Sequence, residues 1–313
     1  MISSVLKGQI EKIIDLQIEE NFDLTSFSTI KIKSIAKIFI KVESENSLIE
    51  LIKIFNKNKI SFLVIGRGSN LILPPVINKP VIKLAFRFDV KLLQNVKDSY
   101  FIPANVPLNI LTGKAIKLGL KGWEVFTGIP ANLGGAIFMN AGTSLGEIGS
   151  LIKSVKILKK NGKVINYKIK ENDFTYRKNH FLESTDIILA AEVKHFGVDK
   201  DIPNKIINYL RKRSQNQPLT QNTCGCTFKN IAIFPDGRTN SCVAGQIIDI
   251  IGLKGFKYKN LRVSKVHGNF IENIGESTQE DFLELVEIIN SRIEREYGHK
   301  LEMEAIVISD SVD

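Results

Sequence analysis

The sequence predicts an α+β protein of two or three domains, on three observations. Its 313 residues exceed a single domain of the usual size, about 100–200 residues. Its patterns segregate: strand and helix alternate first, short strands broken by glycine turns follow, and a last third mixes helices with strands. Its hydrophobic content of 43% supports real cores. No stretch approaches the roughly 18 apolar residues of a membrane span.

Residues 4–20 read as a short amphipathic helix, so 1–21 forms an N-terminal helical segment. Lys37 to Glu43 alternates like a half-buried strand. Ser44 then caps a helix with an apolar face of Leu48, Leu51, Ile52 and Phe55. Ser61 to Ile65 reads as a buried strand closed by GRGSN at Gly66–Asn70, and Pro74-Pro75 ends the next short strand. Residues 22–86 therefore look like a small α/β unit. In 87–200, Pro107 opens a helix carrying Leu108, Leu111, Ala115 and Leu118, and Gly119 stops it. Val155–Leu158 and Val164–Ile169 flank a Lys-Asn-Gly-Lys turn and predict a hairpin, with Ile187–Phe196 as a further strand. The last part, 201–313, opens with a helix at 202–214, then a cysteine-bearing strand and a small helix near 243–251. The long helix over 279–297 starts at a Thr278/Asp281 capping box. Its stripe of Phe282, Leu285, Val286, Ile289 and Ile293 reads as core. Gly298 ends it, and Leu301–Ile308 returns as one strand.

The net charge of +10 suits nucleic acid or an anionic small substrate. The lysines are spread along the chain, and the densest patch, Arg211-Lys212-Arg213, is short. A solvated lysine-rich surface is favoured, and no nucleic-acid partner is expected. Glu11, Asp15, Glu19 and Glu20, without a long apolar core, argue against a signal peptide, so a cytoplasmic location is expected. The three cysteines cannot all pair. Cys224 and Cys226 form a CxC, and His180, His195, His267 and His299 lack helical ligand spacing, so no metal site is expected.

The run GIPANLGGAIFMNAG packs Gly128, Gly134, Gly135 and Gly142 around apolar residues. Glycine loses the most entropy on folding, so such a cluster needs a reason. One reason is backbone brought close to phosphates or a flat ring; the other is a tight turn between packed elements. Pro130 fits the first turn of a short helix whose positive end would face an anion. Gly66-Arg67-Gly68 also follows a strand, but a third glycine is missing and Leu71 to Pro75 cannot open a long helix, which excludes a Rossmann loop. A compact turn offering N–H groups and the Ser69 and Asn70 side chains to a pyrophosphate fits better. Together the two loops suggest a grip on one extended cofactor.

GRGSN, GIPANLGGAIFMNAG, Tyr176-Arg177 and GCTFKN at Gly225–Asn230 occur in the order and spacing of one family. The chain resembles the UDP-N-acetylenolpyruvoylglucosamine reductases, usually called MurB, flavoenzymes of peptidoglycan synthesis. Ala244-Gly245, Ile248-Asp249 and Gly252-Leu253-Lys254-Gly255 are similar to the family's AGxLID…GLKG segment. Val263–Asn273 and Leu301-Glu302-Met303-Glu304 are similar to its last two. The resemblance covers about residues 22–308. It implies a FAD-binding domain of the vanillyl-alcohol-oxidase (PCMH) type, made of two α/β subdomains (22–86 and 87–200), and a C-terminal α+β substrate-binding domain (201–313). It also implies hydride transfer from NADPH to FAD and then to the enolpyruvyl double bond of a UDP-sugar, giving UDP-N-acetylmuramate. The implied cofactor residues are Ile65, Gly66, Arg67, Gly68, Ser69 and Asn70 in the first loop. In the second they are Gly128, Ile129, Pro130, Gly134, Gly135, Ala136, Asn140, Ala141 and Gly142. A monomer with a small-molecule UDP-sugar substrate is expected.

Reducing a double bond conjugated to a carboxylate puts charge on an enolate, and preorganised electrostatics are the usual answer. Arg177 matches the family's enolate-binding arginine; its plainer reading is a surface salt bridge. Glu304 matches the family's glutamate after Leu-Glu; its plainer reading is strand-edge charge, for which Glu302 is the better candidate. Cys226 stands where relatives carry serine or cysteine and is the implied proton donor. A thiol is mostly protonated at neutral pH and far more acidic than an alcohol. Its plainer reading is a small buried hydrophobe. Cys224 and Cys242 read as structural. Tyr176, Lys229 and Asn230 are implied to line the substrate site, and Arg213 and Gln217 to reach the diphosphate or sugar. His267 is either a substrate contact or a satisfied structural histidine.

Three departures stand out. Lys33 replaces a glycine of the family's early segment, which requires different or strained backbone there. Ile231 replaces a proline, and Val266 stands in a segment that has lost an acid; an insertion, Ile231–Ser241, lengthens the following loop. None removes a catalytic group. The alternatives are another FAD oxidoreductase of this fold with a different anionic substrate, and a basic nucleic-acid-binding protein without flavin.

Overall fold

A computed structural model describes residues 4–309. Packing divides the chain into two units: residues 1–20, 38–67 and 79–211 in the first, and 21–37, 68–78 and 212–313 in the second. Segments 21–37 and 68–78, assigned from sequence to the first cofactor subdomain, thus pack with the C-terminal part. The sequence-based division with breaks at 21/22, 86/87 and 200/201 stays a proposal about domains.

The first unit carries a sheet in the order Leu16–Asp23, Ile35–Val42, Val81–Leu84, Leu63–Ile65. Its last three strands are parallel, with Phe39 opposite Val81 and Leu63 on the other side of the same residue. The helix Glu45–Lys57 starts where expected, because Ser44 Oγ accepts the Ser47 N–H at 3.2 Å. It buries Leu48, Leu51, Ile52 and Phe55. A second, antiparallel sheet runs Val164–Lys168, Ile152–Leu158, Ile187–Lys194, Ser99–Pro103. The expected hairpin is there, with Val155 opposite Tyr167. Helix Leu108–Leu118 ends at Gly119, which takes φ +67°. All share one core that includes the fully buried Trp123 and Phe126, and Trp123 Nε1 donates to the Lys194 carbonyl at 2.9 Å.

The N-terminal expectation is corrected. The helix covers only Ser4–Ile10, and Leu16–Asp23 is a strand. The helix ends at Ile10; Asp15 takes φ +57° just before the strand, in which Leu16 and Ile18 alternate toward the core.

The second unit is built on the helix Gln279–Tyr297, with the capping box present and Gly298 at φ +70°. Phe282, Leu285, Val286, Ile289 and Ile293 are buried, each contributing about 1.5–3 kcal/mol relative to exposure. They share a core with Phe228, Leu301, Ile72, Ile30 and Ile32. One sheet runs Thr223–Cys226, Phe270–Asn273, Leu261–Val263, Lys257–Tyr258; another runs Thr239–Ser241, Phe228–Ile233, Lys300–Met303. The insertion is therefore a hairpin, with Ile231 opposite Ser241. The expected strand Leu301–Ile308 is two: Lys300–Met303 pairs antiparallel with Phe228–Ile233, and Ile306–Val307 pairs parallel with Leu71–Ile72. Glu304 sits at the break. Lys33 is exposed without positive φ, and the strained residue of that segment is Lys31 at φ +55°.

Candidate functional site

In the first unit, the glycine run splits into two kinds of position. Gly134 and Gly142 are needed by the protein itself. A Cβ on Gly134 would stand 2.8 Å from the Ala104 Cβ, and one on Gly142 would stand 2.8 Å from the Gly146 carbonyl oxygen. Gly135 is exposed and a Cβ there would meet nothing within 4 Å; Gly66 has the same open space, and neither takes a positive φ. Protein packing does not explain these two glycines. Backbone left bare for a bulky ligand does. Gly128, at φ +74°, is exposed, and the adjacent Thr127 hydroxyl is buried without a hydrogen-bond partner. Ile65 is buried at its strand end, Ile129 half-buried, and Pro130 and Arg67 are exposed. These features fit a flat, phosphorylated cofactor such as FAD.

One expectation for this loop is corrected. The short helix is Leu133–Phe138, so Pro130 precedes it rather than occupying its first turn. Its first two N–H groups donate to the Val106 and Ala104 carbonyls at 2.9 and 2.8 Å. The helix start is thus anchored to protein through two of its free N–H groups.

Asn140 takes φ +45° and is fully buried. Its Oδ1 accepts the Gly149 N–H at 3.0 Å, while Nδ2 donates to Glu147 Oε2 at 2.8 Å and the Thr175 carbonyl at 2.9 Å. Its side chain therefore holds the loop onto the hairpin that carries Tyr176 and Arg177. Ala136 and Ala141 are buried and joined, the Ala141 N–H reaching the Ala136 carbonyl at 2.8 Å. Phe174–Thr175 and Lys178–Asn179 pair antiparallel, leaving Tyr176 and Arg177 at the tip. Arg177 takes φ +55°, a conformation costing about 1–2 kcal/mol for an L-residue. Such strain persists where the surroundings over-determine it. Here the Arg177 guanidinium donates to the Gly142 carbonyl at 3.1 Å and lies 4.9 Å from the Tyr176 ring centroid. The glycine run and the arginine come together in one unit.

In the second unit, three distant stretches of sequence meet beside Thr227, the residue after Cys226. The Thr227 carbonyl accepts the N–H groups of Glu304 at 2.8 Å and Ala305 at 3.3 Å. Asn70, from GRGSN, donates its Nδ2 to the Glu304 carbonyl at 2.9 Å and accepts the Ile306 N–H at 2.9 Å. Gly68 closes that turn at φ +61°, where a Cβ would collide with the Phe27 carbonyl. The Ser69 carbonyl accepts from Thr29 Oγ1 at 3.4 Å. Cys226 is half-buried and follows Gly225 at φ +85° in a strand with a register irregularity. Burial pushes the Cys224 thiol up to about 12, and the nearby Glu304 carboxylate pushes the same way. Cys224 is a neutral, packed thiol.

Sequence reasoning missed Asn269. It is buried, and its Oδ1 accepts the Phe228 N–H while its Nδ2 donates to the Phe228 carbonyl, both at 2.8 Å. Its own carbonyl accepts the Thr227 N–H at 2.8 Å. Three bonds thus fix the segment that links Cys226 to Glu304. The sequence signal was its place in the Val263–Asn273 segment, just before the strand Phe270–Asn273.

The expected substrate residues are placed as follows. Lys229 pairs with Glu302. Asn230 Oδ1 accepts the Ala244 N–H at 3.2 Å, at the start of helix Ala244–Ile250. The half-buried His267 packs against that helix: a Cβ on Gly245 would lie 2.7 Å from His267 Cε1. His267 Nδ1 accepts the Asn269 N–H at 3.2 Å, and burial, then Lys254, hold its pKa below the ordinary value. Arg213 Nε donates to Gln217 Oε1 at 2.6 Å, and its Nη1 is buried without a hydrogen-bond partner. Asn230 and His267 therefore hold the Ala244–Ile250 helix, whatever else they touch. Among the described residues, no helix is long and apolar enough to cross a membrane.

Comparison with known proteins bears on the same two regions. A family model described as "FAD binding domain" matches residues 36–168, and one described as "UDP-N-acetylenolpyruvoylglucosamine reductase, C-terminal domain" matches residues 217–308. The UDP-N-acetylenolpyruvoylglucosamine reductase of Clostridium botulinum (strain Alaska E43 / Type E3) is 31% identical over 300 residues, spanning 95% of this chain and 94% of the relative. That of Clostridioides difficile (strain 630) is 31% identical over 278 residues, 88% of each. The crystal structure of the Thermus caldophilus enzyme (MurB) superposes with a TM-score of 0.75 at 31% identity, covering 94% of this chain and 99% of that one. Likeness of this length in sequence and backbone, with a flavin-binding model over the bare glycines, makes the chain an FAD-dependent oxidoreductase that belongs to the UDP-N-acetylenolpyruvoylglucosamine reductase (MurB) family.

Proposed function

We propose that this chain reduces UDP-N-acetylglucosamine enolpyruvate to UDP-N-acetylmuramate, using NADPH, in the cytoplasmic stage of peptidoglycan synthesis and as a monomer. FAD, held by the Gly66–Asn70 and Gly128–Gly142 loops, would supply the hydride, drawn from NADPH, for the methylene carbon of the enolpyruvyl double bond. The remaining chemistry falls to the protein. Addition of hydride leaves negative charge on an enolate, and Arg177 offers it a cation fixed by the Gly142 carbonyl and the Tyr176 ring. Glu304 orients the carboxylate or the proton donor. The Cys226 Sγ–H gives its proton to the α-carbon, which completes the reduction, and the thiolate is reprotonated from water. Tyr176, Lys229, Asn230, Arg213, Gln217 and His267 are the proposed substrate contacts.

The observation that carries this reading is the Thr227 carbonyl, which ties Glu304 to the residue next to Cys226. An acid beside a carboxylate suits protonation of a carbon. Oxidation of a hydroxy acid would call for a base instead. Under anaerobic conditions NADPH is expected to bleach the bound flavin, and the enolpyruvyl UDP-sugar to restore its colour. Bleaching without recovery would rule out this substrate. Cys226→Ala is expected to leave bleaching intact and slow the recovery about a hundredfold, the low end of a general-acid contribution of about 10²–10⁴.

A further inference from the structure

The strand Val81–Leu84 lies between Ile35–Val42 and Leu63–Ile65 in the parallel sheet. Lys83 stands opposite Ile65, at the carboxyl end of both strands. Ligands of open α/β sheets gather at the carboxyl ends of the strands. Ile65 leads directly into Gly66 and Arg67. The Lys83 ammonium donates to the Gly66 carbonyl, and Gly66 has open space where a Cβ would stand.

The electrostatics of this corner are unfavourable without an anion. Burial drives the Lys83 ammonium down to about 8, and the positive charge of Arg67 drives it the same way. A partly buried cation beside a second cation costs stability that an uncharged side chain would not. The sheet needs neither charge, since its core is formed by Ile40, Val42, Ile82 and Leu84. An incoming dianion would reverse the sign of the interaction for both cations at once.

We infer that Lys83 binds the diphosphate of FAD, donating to it from the carboxyl end of its strand beside the Gly66 turn. The inference rests on the assignment of FAD to this chain. Lys83 thereby does two things: it steadies the turn through the Gly66 carbonyl and supplies the positive charge that the turn's backbone lacks. Charge-assisted hydrogen bonds are about twice as strong as neutral ones, so the charge matters beyond the bond.

Two variants of the holoenzyme separate charge from geometry. Lys83→Gln keeps a donor for the Gly66 carbonyl and loses the charge; Lys83→Arg keeps the charge. FAD release on dilution is read by recovery of flavin fluorescence, at low and high salt. Lys83→Gln is expected to raise the FAD Kd about tenfold or more and to lose part of the wild-type salt sensitivity, with Lys83→Arg close to wild type. Equal FAD retention by wild type and Lys83→Gln, or a loss shared equally by Lys83→Arg and independent of salt, overturns the role. Wild-type protein that takes up no FAD at all overturns the flavin assignment itself, a separate and recognisable failure.

Discussion

Asn269 shows how much of a site can rest on one uncharged side chain. Its carboxamide and carbonyl make three hydrogen bonds to Thr227 and Phe228, and none to a group with obvious chemistry. Asn269→Ala leaves the Phe228 N–H and carbonyl buried without these partners, at about 1–3 kcal/mol for each unsatisfied group. The segment between Cys226 and Glu304 then loosens. The expected outcome in stopped-flow half-reactions is an unchanged rate of flavin reduction and recovery by the sugar slowed about tenfold, since misplacement of about 1 Å can cost up to 10²-fold. Equal slowing of both halves would mark Asn269 as a general scaffold residue. At this scale the sequence offers candidates where chemistry and residue type coincide. Arg177, Cys226 and Glu304 are proposed from motifs, whereas Asn269 carries no chemistry of its own and acts only through what it holds.

Elements were legible where local signals were strong. The Ser44 and Thr278 caps, the Pro107 start and the Gly119 and Gly298 stops all lie where the sequence put them. Errors came where tertiary pairing overrode periodicity: the strand Leu16–Asp23 instead of helix, and the broken strand at Glu304. The helix Leu133–Phe138 offers a direct test of what its glycines are for. Gly134→Ala pushes a Cβ to 2.8 Å from Ala104 and is expected to destabilise the fold by about 1–3 kcal/mol in denaturant melts. Gly135→Ala meets open space and gains helix propensity of about 1 kcal/mol. It is expected to leave the flavin-free protein as stable or more so, while weakening FAD retention. If Gly135→Ala keeps FAD as well as wild type, Gly135 does not face the cofactor.

For the whole molecule, cofactor and stability are linked. FAD at about 100 times its Kd adds about 2.7 kcal/mol to the folded state, so the loaded protein is expected to melt higher in calorimetry. Lys83 gives that linkage a pH signature. Its folded-state pKa, about 8, lies below the ordinary lysine value of 10.5. The unfolded chain therefore binds more protons between these values, and this group's penalty on the flavin-free fold is fully present below pH 8 and relieved as pH rises to 10.5. Lys83→Gln is expected to melt above wild type at pH 7 in flavin-free form, with the gap closing by pH 10.5.

The sequence by itself determined the family and its FAD cofactor, because glycine, capping and motif patterns are local and each is set by the backbone it must adopt. Only the tertiary structure decided which glycines stay bare, that 21–37 and 68–78 pack with the C-terminal part, and that Asn70, Thr227 and Glu304 meet. There the Ile306 N–H joins the Asn70 carbonyl, more than two hundred positions away in the chain, by a backbone hydrogen bond. Such bonds use groups that every residue carries, so no residue type announces them.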